Sequence, residues 1–535
     1  MNKLRSIVNK HATVVVAVVF IVTFLVRLQE LHVFRDFNSD KARQLHAAYS
    51  YVHGKGMAWE SYNLNTFQPV LLPNIEWPPM YAYMVIAISK VSGQDLYNAS
   101  VTLDYLNLFV LWLGLLWLFR LIGCDALQQI ILLCFLSFSK PPLLGIWSSD
   151  MIGVTLFILS AALSVQHVKR IDAKKKQRLS FYVFQLCIMT AMMLLKYSLV
   201  PALFSVAGAV LAYYYSNKNK AFLKSGVLLG VLAVVAIGIL IAYNQSISGS
   251  SSPAASRHAA NDSAIHFANL YYFYPFISGS LFYLDILSSR LNPHWVNNGA
   301  VLVTFLLLAI VLVNTVKKIF ARKADYFEYL TLVTSIVVTG FFILLSLKYK
   351  KDQQGIYFWT YVKEYRYFAP AIFIILIYLF REYIPTVARP QMRLMSYVLM
   401  GCLLIAIALK GYYIYVGNKA ASFDNMYGKV FKVAEDAKQV GGNDAYFMSY
   451  TKDAVFDTQL TSVVAINGTK VAMSYYGYFA DSTFKTPFTA RQIPAGKKIV
   501  VYLDKNIQML DTVNSINKHR IETTADGEQF LVVEN

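Results

Sequence analysis

The chain has 535 residues, of which 56% are hydrophobic and 15% aromatic, with a mean hydropathy of +0.45 and a formal net charge of +19. This composition is too apolar for a soluble globular protein of the same size and indicates a polytopic membrane protein. The basic excess does not imply nucleic-acid binding, because most of it lies in short loops between apolar runs, where it signals topology against an anionic leaflet.

Successive apolar runs predict about eleven membrane spans. They lie near residues 12–29, 101–120, 127–143, 150–167, 181–196, 198–215, 225–243, 299–316, 328–347, 367–381 and 393–415. Kinked or re-entrant helices would also fit the run at 127–143 and the pair that meets at Lys196. The first run lacks a small-residue cleavage site, so it is interpreted as a retained span. The phase of the basic loops predicts a cytoplasmic N-terminus and an extracytoplasmic C-terminus.

Hydropathy divides the chain into two domains, a transmembrane domain over residues 1–415 and a small soluble extracytoplasmic α/β domain over residues 416–535. Two long outer loops interrupt the first domain, at 30–98 and at 244–298, and the second of these is Gly/Ser-rich and is predicted to be flexible. In the C-terminal domain the periodicity predicts helices at 425–440 and 506–516, strands at 445–450, 471–476 and 498–503, and a hairpin at 521–533.

Several classes of site have no signal in the sequence. The four cysteines, Cys124, Cys134, Cys187 and Cys402, are too scattered for a zinc site or a disulfide framework. There is no P-loop and no dinucleotide fingerprint, which argues against chemistry driven by a cytosolic nucleotide.

The loop after the first span carries charged residues that hydrocarbon would not tolerate, among them Asp36 and Asp40, so it must lie at the membrane surface. Residues 40–52 have the period of an amphipathic helix, with Asp40 in the first turn, where the helix dipole favours a carboxylate. Trp77-Pro78-Pro79 then predicts the start of a second short helix over residues 80–88. Acidic residues beside a span are usually only solvated, which is the alternative for Asp40.

This loop resembles the first extracytoplasmic loop of the C-type (GT-C) glycosyltransferases, in particular the protein mannosyltransferase superfamily that includes the aminoarabinose transferase of lipid A. In that family an Asp opens a juxtamembrane helix and a Pro-Pro motif opens a second one, which Asp40 and Trp77-Pro78-Pro79 match. The family often has Lys or His before the two prolines, where this chain has Trp77. The resemblance implies the GT-C fold and a sugar donor carried on a polyprenyl phosphate.

Two further positions match the same superfamily. Asp150 stands at the outer start of the fourth predicted span, where the family has a second Asp; the alternative is a helix cap. Lys196 precedes Pro201 at a break between spans, and the aminoarabinose-transferase branch commonly has a Lys at this place; the alternative is a lysine that reaches the headgroups.

Basic residues are unexpectedly frequent in the outer segments. Arg257 lies in the flexible loop, and Lys363 and Arg366 lie in a loop where the topology rule expects few cations. Cations at this depth are what binding of a lipid phosphate requires. Arg366-Tyr367, followed by Pro370, also resembles the Arg-Tyr…Pro motif that opens a late span in the superfamily.

The sequence therefore predicts a GT-C transferase that moves a sugar, by inversion, from a polyprenyl-phosphate donor to a lipid, glycan or protein acceptor at the extracytoplasmic face of a bacterial inner membrane. The predicted catalytic carboxylates and lipid-phosphate contacts are Asp40, Asp150 and Asp36, and Arg366, Lys196, Lys363, Arg257 and Tyr367. No cofactor is implied and a divalent cation is left open. The alternative is a transporter or flippase of lipid-linked sugars.

Overall fold

The computed structural model describes the larger part of the chain, in segments separated by gaps. The described residues are 12–33, 37–63, 67–75, 77–138, 148–249, 265–267, 270, 293–347, 365–383, 427–442, 444–451, 453–472, 496–504 and 519–534. They fall into two compact units. The membrane unit comprises Met1–His32 and Asp104–Val416, and the α/β unit comprises Val33–Leu103 and Gly417–Asn535.

Long apolar helices make up most of the membrane unit. The described α-helices up to residue 383, including those of the first loop, are α1 (Ala12–Val33), α2 (Ser39–Val52), α3 (Met80–Ser92), α4 (Leu96–Leu121), α5 (Ala126–Phe138), α6 (Ser148–Asp172), α7 (Leu179–Leu195), α8 (Val200–Asn217), α9 (Lys220–Ser248), α10 (Pro293–Phe320), α11 (Tyr326–Leu347) and α12 (Tyr365–Tyr383). Of these, α2, α3 and the first turns of α4 belong to the α/β unit.

Within the described ranges, seven helices are long and apolar enough to cross a membrane: α1, α4, α6, α8 with the short 3-10 turn before it, α9, α10 and α11. The shorter apolar helices α5 and α7 coincide with two further predicted spans. The run at 393–415 lies outside the described residues. The prediction of a polytopic helical membrane protein is confirmed.

The core of the membrane unit consists of large side chains packed between helices. Trp112, Phe135, Phe157, Phe222 and Tyr378 are fully buried there. Because the hydrocarbon is itself apolar, close packing and interhelical hydrogen bonds, more than the hydrophobic effect, hold such helices together. The opposite faces of α1, α9 and α10 leave their Val, Leu and Ile side chains exposed, as lipid-facing surfaces do.

The α/β unit joins the first loop to the C-terminal part of the chain. The loop contributes a hairpin of β1 (Ala58–Asn63) and β2 (Gln68–Pro73) together with α2 and α3. The C-terminal part contributes α13 (Gly428–Gly441), β3 (Tyr446–Tyr450), α14 (Ala454–Ile466), β4 (Lys470–Val471), β5 (Lys498–Leu503), β6 (His519–Thr523) and β7 (Gln529–Glu534).

These C-terminal strands form a sheet of order β4-β3-β5-β7-β6, in which β4, β3 and β5 are parallel and β6 and β7 form an antiparallel hairpin. The first-loop hairpin reaches the β4 edge, where Tyr62 and Ala472 make a parallel bridge and the hydroxyl of Ser61 donates to the carbonyl of Val471 at 3.4 Å. Phe67, at the turn of that hairpin, packs on Tyr446 with ring centroids 5.0 Å apart.

The C-terminal predictions are confirmed for the strands at 445–450 and 498–503, for the helix at 425–440 and for the hairpin at 521–533. The predicted helix at 506–516 and most of the strand at 471–476 lie outside the described residues. Helix α14 and the β1–β2 hairpin were not predicted. Both are formed by stretches rich in β-branched or bulky residues whose state is decided by packing against distant parts of the chain.

Candidate functional site

Asp40 lies in the first turn of α2, as predicted. Asn38 caps this helix: its side-chain oxygen accepts a hydrogen bond from the backbone N–H of Lys41 at 2.9 Å. Asn is preferred at this position because it satisfies an N–H group that the helix leaves open. The positive end of the helix dipole favours the charge of Asp40, and the side chain is half-buried. The α/β unit therefore presents a carboxylate at a well-defined helix start.

Trp77 of the Trp-Pro-Pro motif lies beside a cation that belongs to α2. The guanidinium carbon of Arg43 is 4.6 Å from the ring centre of Trp59 and 5.1 Å from that of Trp77. The indole N–H of Trp59 donates to the carbonyl of Arg43 at 3.2 Å. Arg43 thus brings a positive charge next to the two prolines and ties the start of α3 to α2.

The face of α2 that packs into the unit buries polar as well as apolar residues. His46 is only 7% exposed, and burial, with the charges of Arg43 and Lys55, lowers its pKa from 6.5 to about 4. At neutral pH the imidazole is therefore uncharged. His46 stabilises α2 as a neutral side chain and is not a candidate for binding phosphate.

In the membrane unit, three predicted residues meet, from the start of α6, the break after α7 and the start of α12. Oδ2 of Asp150, in the first turn of α6, lies 3.4 Å from Nζ of Lys196 and 3.6 Å from Nη1 of Arg366. The three side chains are 4%, 11% and 10% exposed. Asp150 is therefore an ion-pair partner of both cations, which goes beyond the helix-cap alternative. Lys196 is turned inward, contrary to the alternative that it reaches the headgroups.

The position of Lys196 follows from a break in the chain. Helix α7 ends at Leu195, Lys196 takes an extended conformation with φ −158° and ψ 129°, and a 3-10 turn over Tyr197–Leu199 leads into α8. Leu199 packs so closely on Gly153 that a Cβ at Gly153 would overlap it. Since Gly153 is one turn after Asp150, this close approach brings the break against the start of α6.

Arg366 comes from the start of α12, one residue before Tyr367. Its Nη2 lies 3.5 Å from the hydroxyl of Tyr367, and its guanidinium carbon is 5.2 Å from the centre of that ring. The Tyr367 ring in turn stacks on Phe342 of α11, with centroids 5.3 Å apart. The aromatic pair limits the directions in which the guanidinium can point, and Tyr367 is therefore a neighbour of the cluster. Its role as a lipid-phosphate contact stays a prediction.

The two ion pairs of this cluster are longer than hydrogen-bonded ion pairs usually are. Among the described residues, Oδ2 of Asp150 accepts no hydrogen bond, although it is buried between two cations. Two cationic groups that converge on one oxygen atom are also placed to converge on one phosphate oxygen. The cluster of Asp150, Lys196 and Arg366, called the cationic cluster below, can therefore bind an anion by exchanging one oxygen for another.

The membrane unit contains two further buried acidic groups that the sequence did not predict. Arg27 and Glu30 of α1 form a buried ion pair, and Arg27 Nη2 donates to the carbonyl of Leu136, in the last turn of α5, at 2.6 Å. Asp104 of α4 accepts a hydrogen bond of 3.4 Å from the hydroxyl of Ser148, at the start of α6. Arg27 and Glu30 are recognisable as ionisable residues three positions apart at the end of an apolar run, a pattern that usually indicates a specific partner.

A cleft of about 710 Å³ opens beside the same end of α1. It is lined by Leu25, Val26, Leu28, Gln29, His32 and Tyr105. His32 Nδ1 lies 3.1 Å from the hydroxyl of Tyr105, so polar groups stand at one end of an apolar surface. Clefts of this volume are large enough for part of a lipid.

Three of the predicted site residues, Asp36, Lys363 and Arg257, lie outside the described residues. Their assignment to the site stays a prediction. In the part of the chain that the structure describes, no group of three or more His, Cys, Asp and Glu residues is arranged to hold a metal ion.

No protein-family model matches the sequence, and no curated protein matches it significantly. Solved structures match almost the whole chain. ArnT from Cupriavidus metallidurans in the apo state superposes with a TM-score of 0.55 over 96% of this chain and 97% of its own, at 12% identity. ArnT bound to undecaprenyl phosphate gives 0.53 over 97% of each chain, at 13% identity.

The oligosaccharyltransferase of Archaeoglobus fulgidus, in complex with Zn and sulfate, matches 90% of this chain and 68% of its own with a TM-score of 0.51, at 11% identity. The chain has the fold of the GT-C glycosyltransferases. The predicted GT-C architecture is thereby confirmed. At 11 to 13% identity these comparisons show only that the folds are alike. The roles of individual residues must be argued from the geometry of this structure.

Proposed function

We propose that this protein is an inverting membrane glycosyltransferase that moves a sugar from a polyprenyl-phosphate carrier to a lipid, glycan or protein acceptor. The observation that carries the proposal is the cationic cluster, in which Lys196 and Arg366 converge on one oxygen of Asp150. The GT-C fold supports it, and so does the similarity to an ArnT structure that contains bound undecaprenyl phosphate. The leaving group of such a reaction is a phosphate, whose developing charge two buried cations would stabilise.

In this proposal Asp40 is the base. Its carboxylate accepts the proton of the acceptor hydroxyl as that oxygen attacks the anomeric carbon, and the bond to the carrier phosphate breaks on the opposite face. Arg366 and Lys196 bind the departing phosphate, with Tyr367 orienting the guanidinium. Asp150 holds the two cations in place when no phosphate is bound. Lys363, Arg257 and Asp36 complete the predicted set.

We further propose that the protein lies in a bacterial inner membrane with a cytoplasmic N-terminus and that the α/β unit is extracytoplasmic. The distribution of Lys and Arg supports this orientation, because the clusters near residues 169–178, 218–224, 317–323 and 381–393 then fall on one side. Under this topology the donor and acceptor would meet outside the cell's cytoplasm.

The alternative, a transporter or flippase of lipid-linked sugars, has two observations in its favour. The broken helix pair at Lys196 and the buried Arg27–Glu30 pair are features that transporters use at their binding sites. A transporter, however, needs no base. The two functions therefore differ in how they respond to the loss of the Asp40 carboxylate.

The test is transfer by Asp40→Asn, which keeps the shape of the side chain and removes its basicity. We expect at least about a hundredfold loss of transfer, because general-base catalysis contributes roughly 10² to 10⁴ in rate. The purified full-length chain would be assayed with a labelled polyprenyl-phosphate sugar and a cell-envelope extract as acceptor.

Asp36→Asn is the control from the same loop and should lose much less activity. Near-wild-type transfer by Asp40→Asn would exclude Asp40 as the base. If Asp36→Asn then failed, the base would be Asp36; if neither variant lost activity, another group would be the base. Transport of the labelled lipid without any transfer by the wild type would favour the transporter.

A further inference from the structure

The chain enters α2 through a buried residue, Phe37, which is 1% exposed. Its ring packs against Tyr97, Tyr427 and Phe431, with centroids 5.7, 6.2 and 5.0 Å away. Tyr427 directly precedes α13, Phe431 lies in its first turn, and Tyr97 lies in α4. The residue three positions before Asp40 is therefore fixed by the C-terminal part of the α/β unit.

The backbone at this point is held by a hydrogen bond from the same part of the chain. The side-chain amide of Gln459, in α14, donates to the carbonyl of Phe37 at 2.6 Å, and Gln459 itself is only 7% exposed. A buried amide that loses its partner is costly, so the bond is strongly maintained. It joins residues that are 422 positions apart in the sequence.

The preceding residue of α14 makes the next contact along α2. Thr458 accepts a hydrogen bond of 3.3 Å from Nη2 of Arg43, the same guanidinium that lies against Trp59 and Trp77. Two consecutive residues of α14 therefore hold α2 at its entry and one turn later. Asp40 lies between these two points of attachment.

We propose that Gln459 is a positioning residue for transfer: through the carbonyl of Phe37 it fixes the first turn of α2 and so the direction of the Asp40 carboxylate. This inference rests on the proposed role of Asp40 as base. It also gives the C-terminal part of the chain a role in the reaction, because the helix start that carries the base is completed by a residue of α14.

The bond matters for rate because a general base must reach the acceptor proton within hydrogen-bond distance. A shift of about 1 Å in a catalytic group can cost on the order of a hundredfold in rate while substrate binding changes little. A residue that only stabilised the fold would instead lower the amount of folded protein without changing the turnover of the molecules that remain folded.

The experiment compares Gln459→Leu with the wild type in the purified full-length chain, using a labelled polyprenyl-phosphate sugar. We expect kcat to fall between about tenfold and a hundredfold and the KM for the donor to change by less than about threefold. Gln459→Asn, whose shorter amide reaches less far, is the second variant. It should fold readily and lose kcat in the same direction by a smaller factor.

Thr461→Val is the matched control in the same helix. Within the segments that the structure describes, the hydroxyl of Thr461 bonds only to carbonyls of its own helix, those of Asp457 and Thr458, at 2.7 and 3.3 Å. Its removal should leave kcat and KM unchanged. The double variant Gln459→Leu/Asp40→Asn should transfer no more slowly than Asp40→Asn alone, because residues that act through one group are not additive.

Wild-type kcat in both Gln459 variants, with Asp40→Asn inactive, would overturn the inference and leave the proposed function intact. A double variant clearly slower than Asp40→Asn would also overturn it, since Gln459 would then act elsewhere. Full activity of Asp40→Asn would instead remove the proposed base, and the inference would fall with it. The three results are distinguishable in one set of assays.

Discussion

The two carboxylates that we assign to transfer are held in opposite ways. Asp150, in the membrane unit, is 4% exposed and is placed by charge, between Lys196 and Arg366, without a hydrogen bond to its Oδ2 from the described residues. Asp40, in the α/β unit, is half-buried and is placed by backbone geometry, at a helix start. The position of Asp150 should therefore depend on the charges of Lys196 and Arg366, whereas that of Asp40 should depend on the contacts that fix the start of α2.

Helix α12 carries a second arginine ion pair at its other end, and this pair is more exposed than the cationic cluster. At its end, Arg381 forms a hydrogen-bonded pair with Asp325, and its backbone carbonyl accepts from the amide of Gln128 at 2.8 Å. At its start, Arg366 stands 3.6 Å from Asp150, too far for a good hydrogen bond. We expect an incoming phosphate oxygen to replace the longer Arg366–Asp150 contact more readily than the hydrogen-bonded Arg381–Asp325 pair.

The largest effect should therefore come from Arg366→Ala. Loss of a buried charge-assisted contact costs about 2 to 5 kcal/mol, so we expect donor affinity and kcat/KM to fall by about thirtyfold to several thousandfold. Arg366→Lys keeps the charge but loses the fork of the guanidinium and should cost about tenfold. Binding of a labelled donor to purified variants measures both.

Arg381→Ala is the control from the other end of the same helix. It should leave the kcat/KM of the folded protein within a few-fold of wild type and lower the free energy of unfolding by about 1 kcal/mol or less, because Asp325 is half exposed and stays solvated when it loses its partner. Equal donor affinity in Arg366→Ala and the wild type would end the contrast between the two arginines.

The sequence indicated the residues of the cationic cluster, but it did not indicate the contacts that hold the first turn of α2. Asp150, Lys196 and Arg366 could be predicted because each stands at the end of an apolar run, where a charge is conspicuous, and because each matches a short family motif. Gln459 could not, since nothing in a polar residue of a short helix indicates a bond to residue 37. Contacts between such distant positions depend on tertiary packing, which local periodicity does not record.

The α/β unit should be destabilised by mild acid. This pH dependence measures the stability of α2 without a substitution at Asp40. The pKa of His46 is about 4 in the folded chain and about 6.5 when unfolded, so the unfolded state binds the additional proton between these values. Its stabilising contribution is complete above pH 6.5 and declines as the pH falls towards 4. Between pH 7.5 and 5 the loss should be about 2 kcal/mol.

Hydrogen exchange of the amides of α2, corrected for the intrinsic rate, measures this loss. His46→Gln is the control, because its side chain does not titrate and the dependence between pH 7.5 and 5 should flatten. Glu534 does not interfere, since hydrogen bonding to Lys498 and the neighbouring Arg520 lower its pKa below 4.5 and its contribution is lost only in stronger acid. An unchanged slope in His46→Gln would contradict the assignment.

The smallest expected effect concerns Arg43, where charge and shape can be separated on one side chain. Arg43→Lys keeps the positive charge but loses the flat guanidinium that lies against Trp59 and Trp77, 4.6 and 5.1 Å from their ring centres. We expect α2 to lose about 1 kcal/mol of local stability by hydrogen exchange. Thr458→Val, which removes the 3.3 Å hydrogen bond and keeps the guanidinium on the two rings, should lose about half as much. If Arg43→Lys were as stable as the wild type, the charge alone would hold this contact, and α2 would be placed by electrostatics as Asp150 is.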